Sequence, residues 1–169
     1  MGGISAEVIL LADADVLIDF VSTKPQTLRL VSRHVGRLLV LTQVLETVTQ
    51  LTKKACASYG IEIVDVETDL LLRAGVTRHR ALSFEDHLGL LACQVNEWTM
   101  VTNDHALIRA CRASEVPVRR GLRLVLDLVA AGRLTKEAAK KLAVAIQRTN
   151  PHHINSRVLE RFEAELSKS

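Results

Sequence analysis

Asp13, Glu46, Asp86 and Asp104 each fall just past a segment that reads as a β-strand, or in the first turn of the helix that follows. Any one of them has an ordinary explanation. Aspartate is a preferred helix N-cap, Ser83 to Asp86 has capping-box spacing, and an acid in a first turn is favoured by the helix dipole. Capping does not account for four acids in the same structural position. In an open parallel sheet the carboxyl ends of neighbouring strands converge on one crevice where the strand order reverses. Carboxylates gathered there repel one another and rise in pKa unless a divalent cation neutralises them. An all-oxygen donor set selects a hard cation, Mg²⁺ or Mn²⁺, over zinc. An ion held in this way activates water and stabilises an in-line phosphoryl transition state, the chemistry of phosphodiester hydrolysis. No side-chain nucleophile is needed, and the sequence offers no GxSxG elbow, no Cys/His pair at a recognisable spacing and no Walker loop.

The elements that must position these acids alternate along the chain. Glu7 to Ala12 reads as a buried strand that stops at Asp13-Ala14-Asp15, and Val16, Leu17, Ile18 and Phe20 suit a short helix after it. A helix from about Pro25 to His34 stops at Gly36, and Leu38 to Leu41 forms a second strand. Thr42 is placed to cap a helix carrying Val44, Leu45, Val48 and Leu51, with Glu46 in its first turn or so. Ile61 to Val64 is a third strand, and Glu67 to about His79 a helix. Ser83 opens a long helix, Thr99 to Thr102 is a fourth strand, Ala106 to Ala113 another helix, and Val116 to Val118 a short last strand. Repeated β-α units of this kind predict an α/β fold: a three-layer α/β/α sandwich around a mainly parallel sheet of four to five strands. Residues 1–121 would form this domain. Residues 122–169 read as C-terminal helices, Leu124 to Ala131, Thr135 to Gln147 and Ser156 to about Leu166, that pack on it or extend it.

Composition agrees with one domain. Of 169 residues, 48% are hydrophobic and only 3% aromatic, so the core must be aliphatic, as is common where helices cover buried parallel strands. No stretch is apolar for long enough to span a bilayer and no cleavable leader is visible, which predicts a cytoplasmic protein. The three cysteines, Cys56, Cys93 and Cys111, are widely spaced on apolar faces and read as small core residues rather than a disulfide framework or metal knuckle. A net charge of +3 permits contact with a polyanion without requiring it. The basic groups Lys53-Lys54, Arg78-His79-Arg80 and Arg119-Arg120 with Arg123 could hold phosphates if they rim the crevice, though a solvated surface is the simpler reading of each.

Leu10-Leu11-Ala12-Asp13 with Asp15-Val16-Leu17-Ile18 resembles the opening strand and first acid of PIN domains, and Gln43-Val44-Leu45-Glu46-Thr47-Val48 resembles the helix that supplies the second. Ser83-Phe84-Glu85-Asp86 and Val101-Thr102-Asn103-Asp104 look like the third and fourth acidic motifs, and order, spacing and strand context agree from about Val8 to Arg120. The resemblance implies a metal-dependent ribonuclease in which Asp13, Glu46, Asp86 and Asp104 bind Mg²⁺ or Mn²⁺ and orient the attacking water. Thr102 would support the last acid through its hydroxyl. Many small family members are VapC-type toxins that cleave RNA as homodimers and are silenced by a cognate antitoxin, and those partners are implied with the rest. Two departures stand out. Asp15 occupies a position that usually holds a small neutral polar residue, and either joins the metal cluster or faces solvent; Glu85 lies beside Asp86 as a neighbouring candidate.

Two other function classes remain. A non-catalytic PIN-fold module could bind a protein or regulate through its C-terminal helices, and would have no need of metal. A phosphoacceptor receiver domain also has a parallel sheet with acids near its first strand, but requires a lysine after a late strand, and none follows Val101-Thr102 or Val118. His152-His153, His87 and His105 match no zinc-ligand spacing and read as surface or capping residues; Asp19, one turn beyond Asp15, could approach the crevice, though a solvent-facing helix position is the simpler reading.

Overall fold

Two leucine-rich segments set the middle of the molecule. β1 (Ile9–Ala12) and β2 (Arg37–Leu41) carry Leu10, Leu11, Leu38, Leu39 and Val40, buried whichever way the side chain points. Strands without a polar face belong inside a parallel sheet covered on both sides. The computed structural model, which describes residues 7–169, has that sheet, in the order β3-β2-β1-β4-β5 with every pairing parallel. β3 is Ile61–Val64, β4 Thr99–Val101 and β5 Val118–Arg119. The register sets Leu10 opposite Leu38 on one side and Leu11 opposite Met100 on the other.

The chain moves outward from β1 through β2 to β3, then returns across β1 to β4 and β5, so the order reverses between β1 and β4. Right-handed crossovers then put the helices of each half on opposite faces. α1 (Ala14–Thr23), α2 (Gln26–His34) and α4 (Lys53–Tyr59) belong to the first half. α5 (Thr68–Val76), α6 (Phe84–Asn96) and α7 (His105–Ala113) belong to the second, with α6 touching both α5 and α7. The expected three-layer α/β/α sandwich is present, with all five strands parallel. Three further helices, α8 (Gly121–Ala130), α9 (Lys136–Thr149) and α10 (Ser156–Ser167), pack as a group on the first layer. α9 lies on α1 and α8 on α2, and Val125, Leu128, Ala139 and Phe162 belong to one apolar core with the strands.

Local sequence explains where elements differ from expectation. The helix expected through Leu51 lasts one turn, α3 (Thr42–Leu45), with Glu46 as its C-cap. The Thr47 hydroxyl donates to the Val44 carbonyl at 2.7 Å, the local side-chain competition that ends helices. Thr52 then caps the separate helix α4, its hydroxyl accepting from the Ala55 N–H. Thr42 caps nothing; its hydroxyl donates to Asp65 and to the Val64 carbonyl at the end of β3. Gly60, at φ +74, ends α4 in the left-handed conformation. Gly89 matters for the site: a Cβ there would stand 3.0 Å from the Met100 methyl, so glycine lets α6 lie close against β1 and β4. Cys56, Cys93 and Cys111 are buried and unpaired, as expected of core residues. Among the described residues no helix is long and apolar enough to cross a membrane.

Candidate active site

Helices that follow or precede parallel strands run antiparallel to them, so α1, α6 and α7 all point their N-termini at the carboxyl edge of the sheet, beside the β1/β4 reversal. Asp13 is the N-cap of α1. Its backbone is extended, its N–H continues the ladder to the Val101 carbonyl at 3.1 Å, and its Oδ1 accepts from the Val16 N–H at 2.9 Å. Asp104 caps α7 in the same way, accepting from the Leu107 N–H at 2.8 Å. Asp86 is in the first turn of α6, and its N–H donates to the capping hydroxyl of Ser83 at 3.0 Å.

Thr102 joins two of these termini. The residue is wholly buried; its hydroxyl donates to Asp13 Oδ2 and accepts from the Asp104 N–H at 3.1 Å. The support implied for the last acid therefore reaches that acid through its backbone, and it is the carboxylate of the first acid that Thr102 holds. The next residue, Asn103, is 2% exposed, and its Oδ1 accepts from the Gly121 N–H at 3.0 Å, which pins the β4 exit to the start of α8.

Electrostatics show which acids share a space. Burial pushes Asp13 up from its ordinary 3.8 to about 7, against the opposing bonds from Thr102 and Val16, and the charges of Asp15 and Asp86 push it further. Asp86 is also raised, first by burial, then by Asp104, Asp15 and Glu85, with Ser83 acting in the other direction. Asp13, Asp15, Asp86 and Asp104 thus lie in one another's field, a conflict that a cation relieves. Asp15 is solvent-exposed yet acts on both raised acids, so the two alternatives for it are compatible. Glu46 stands apart. It is exposed at the end of α3 and is not among the charges acting on Asp13 or Asp86.

The donor chemistry suits Mg²⁺ or Mn²⁺, since every candidate ligand is a carboxylate oxygen. Among the described residues, though, no three His, Cys, Asp or Glu side chains are so placed that they could hold a metal ion. A cation would have to draw the acids together.

Sequence reasoning missed contacts that come from the far end of the chain. Asp19 is buried rather than solvent-facing, and Asn150 Nδ2 donates to both of its oxygens at 3.2 Å. Burial pushes its carboxyl up to about 6, with Asn150 opposing and Asp15 adding to the rise. His153, read as a surface residue, is half-buried with Nε2 3.8 Å from Asp15 Oδ2. Nothing local in Asn150-Pro151 signals this; it follows from α9 packing on α1. His87 is buried, its Nε2 sharing a 3.1 Å hydrogen bond with the Thr77 hydroxyl, while His105 is exposed. Neither has a zinc-like neighbourhood. Of the basic groups, Arg78 and Arg80 lie exposed in the turn before α6, and Arg119 and Arg123 are both paired with Asp127.

No protein-family model and no curated protein matches this sequence. Among solved structures, the chain is similar to a PilT N-terminus domain protein from the hyperthermophilic archaeon Sulfolobus solfataricus P2. The superposition covers 73% of this chain and 93% of that one, with a TM-score of 0.53 and 8% sequence identity. At that identity the likeness lies in the backbone: the chain is built on the α/β sandwich fold of a PilT N-terminus, or PIN, domain protein.

Proposed function

We propose that the protein is a metal-dependent endoribonuclease that hydrolyses RNA phosphodiester bonds through Asp13, Asp86 and Asp104, with Glu46 as a fourth acid and Asp15 as an auxiliary one. The observation that carries the reading is the buried carboxyl of Asp13 at the strand-order reversal, tied through Thr102 to Asp104 and lying in the field of Asp86. An acid pushed to about 7 by burial and by other acids is costly in a structural role, and such groups concentrate at functional sites.

A bound Mg²⁺ or Mn²⁺ supplies an activated water and neutralises charge on the phosphate. The chain's own groups set the stage. Thr102 and the Val16 N–H hold both oxygens of Asp13, fixing its orientation. Asp104 keeps one oxygen on the Leu107 N–H and leaves the other free, while Ser83 anchors Asp86 at the start of α6. Three helix N-termini aimed at the crevice also favour the anionic phosphodiester.

Within this reading the protein is the toxin of a toxin–antitoxin pair, working as a cytoplasmic homodimer that an antitoxin silences. Exposed apolar side chains on the neighbouring helices α5 and α6, Leu72, Val76, Phe84 and Val95, offer a surface for such contacts. A second reading is a catalytically silent module that binds a protein partner. It is favoured by the isolation of Glu46 and by the lack, among the described residues, of three side chains already placed to hold a metal.

Calorimetric Mn²⁺ titration of wild type and of the Asp13→Asn/Asp104→Asn double variant, with RNA cleavage assayed on the same samples, separates the two. Binding and cleavage lost together in the variant support the nuclease. Full cleavage by the variant overturns it, and a wild type that neither binds Mn²⁺ nor cleaves leaves the partner-binding module.

A further inference from the structure

Beside the acid crevice, α8, β5 and α10 enclose an open cleft of about 450 Å³. Five arginines line it: Arg112, Arg119, Arg120, Arg123 and Arg161. Two have acidic partners. Arg119 pairs with Asp127 at 3.0 Å, and Arg123 with Asp127 at 3.2 Å and with Glu165 at 3.6 Å. Arg112, Arg120 and Arg161 have no ion pair among the described residues. They also crowd one another. Burial, then Arg161 and Arg112, hold the half-buried Arg120 below its ordinary range. Folding gains nothing from three unpaired guanidinium groups in one cleft, whereas an anion there satisfies all three, since the planar fork of arginine matches a phosphate.

The rest of the wall says which anion. Half-buried apolar side chains, Leu126 and Val158, line the same cleft, so the occupant carries an apolar or aromatic part beside its anionic one. Asn103 also lines the cleft, and it is the single residue between Thr102 and Asp104 of the acid site. The cleft lining thus reaches the β4 exit that carries the acid site. The volume suits one nucleotide, falling within the range of roughly 300–1,000 Å³ usual for small-ligand sites.

We propose that the cleft seats one nucleotide of a single-stranded RNA lying next to the acid site, its phosphate on Arg112, Arg120 and Arg161 and its base against Leu126 and Val158. This deepens the nuclease reading and rests on it for the identity of the polymer. Arg161 and Val158 come from α10, beyond the region of sequence resemblance, so the subsite belongs to this chain's C-terminal extension.

The test uses fluorescence anisotropy of a labelled single-stranded RNA in EDTA, so that binding is read without cleavage. Arg112→Ala/Arg161→Ala is compared with wild type and with Lys136→Ala/Lys140→Ala, which removes the same charge from exposed positions on α9. The cleft variant is expected to lose about tenfold or more in affinity, and to flatten the slope of log K against log salt by about 0.7 for each lost phosphate contact. The lysine variant should stay within about twofold of wild type, since exposed charges far from the strand contribute little. Arg112 and Arg161 are exposed and unpaired, so both variants should fold, which circular dichroism checks; Arg161→Lys should restore part of the affinity. Equal binding by the cleft variant and wild type overturns the proposal. So does an equal loss in both variants, or loss of a glutamate-rich peptide with RNA binding unchanged, which would give the cleft to an acidic protein segment. A wild type that binds RNA through these arginines yet never cleaves it in Mn²⁺ removes the nuclease reading and leaves this one supported.

Discussion

Replacing Asp13 with asparagine removes a carboxyl whose burial is unfavourable once it ionises, and in metal-free protein the consequence is a stability difference that grows with pH. In the unfolded chain the group ionises near 3.8 and in the folded protein near 7, so between these values the native state holds a proton that the unfolded state has lost. Stability from this group is fully present below pH 3.8, falls as pH rises, and is gone above about 7. At about 1.36 kcal/mol for each pKa unit, the rise from 3.8 to about 7 corresponds to about 4 kcal/mol. Asp13 is 6% exposed, so solvent screening takes little from that figure. Asparagine keeps one carbonyl oxygen for the two donors, Thr102 and the Val16 N–H, and the lost bond costs about 1 kcal/mol at every pH. In EDTA, Asp13→Asn should therefore be slightly less stable than wild type at about pH 4 and more stable by about 3 kcal/mol at about pH 8. Urea unfolding across that range reads the difference, and Asp19, also raised, cancels because both proteins retain it. Mn²⁺ at a hundred times its Kd should return about 2.7 kcal/mol to wild type and nothing to the variant. A difference that stays constant with pH, or that favours wild type increasingly as pH rises, refutes the account of a buried, raised carboxyl.

Thr102→Val removes the hydroxyl that bonds both Asp13 and the Asp104 N–H, and should cost about 1–3 kcal/mol in urea unfolding and abolish most RNA cleavage, while Ser should be tolerated there. Asp127→Ala frees Arg119 into the arginine cleft, while Arg123 keeps Glu165; RNA affinity should rise and the salt dependence steepen by about 0.7 for the new phosphate contact, read by anisotropy at several salt concentrations. Gly60→Ala forces a side chain into left-handed backbone with its Cβ 2.3 Å from Ser32 Oγ, and should destabilise by about 1–2 kcal/mol in thermal or urea unfolding without altering cleavage of the remaining folded protein. Glu62→Ala, which breaks the exposed pair with Arg37, should change stability by no more than about 1 kcal/mol.

The sheet was legible in the sequence because its inner strands have no polar face: Leu10 to Ala12 and Leu38 to Leu41 could be read as buried strands from residue type alone. Asp13, Asp86 and Asp104 were legible because each sits beside a turn that needs a cap, a local signal that coincides with the chemical one. Glu46 shows the limit of such reading. Its helix was expected to continue because Val48 and Leu51 keep the apolar spacing, but those residues are buried from a turn, and the Thr47 hydroxyl ends the helix where periodicity does not. The contacts of Asn150 with Asp19 and of His153 with Asp15 join residues more than a hundred positions apart, and no spacing pattern encodes how α9 docks on α1. The arginine cleft was half visible, in Arg119-Arg120 with Arg123; Arg112 and Arg161 join it only through the packing of α7 on β5 and of α10 on α8.

The bond between Thr102 and Asp13 spans 89 residues, and it has a consequence for the order of events during synthesis. β1, β2 and β3 are contiguous in sequence and can pair as soon as Val64 is available, whereas the central strand gains its other neighbour only with Thr99 to Val101. Pairing across so long a loop is the slow part of folding, and chains fold from the N-terminal end as they are made. A growing chain therefore carries Asp13 for most of its translation with no Thr102 to hold it and no Asp104 beside it. On the proposed nuclease reading, a nascent chain cannot cut the message from which it is being translated until the fourth strand has emerged and zipped onto the first.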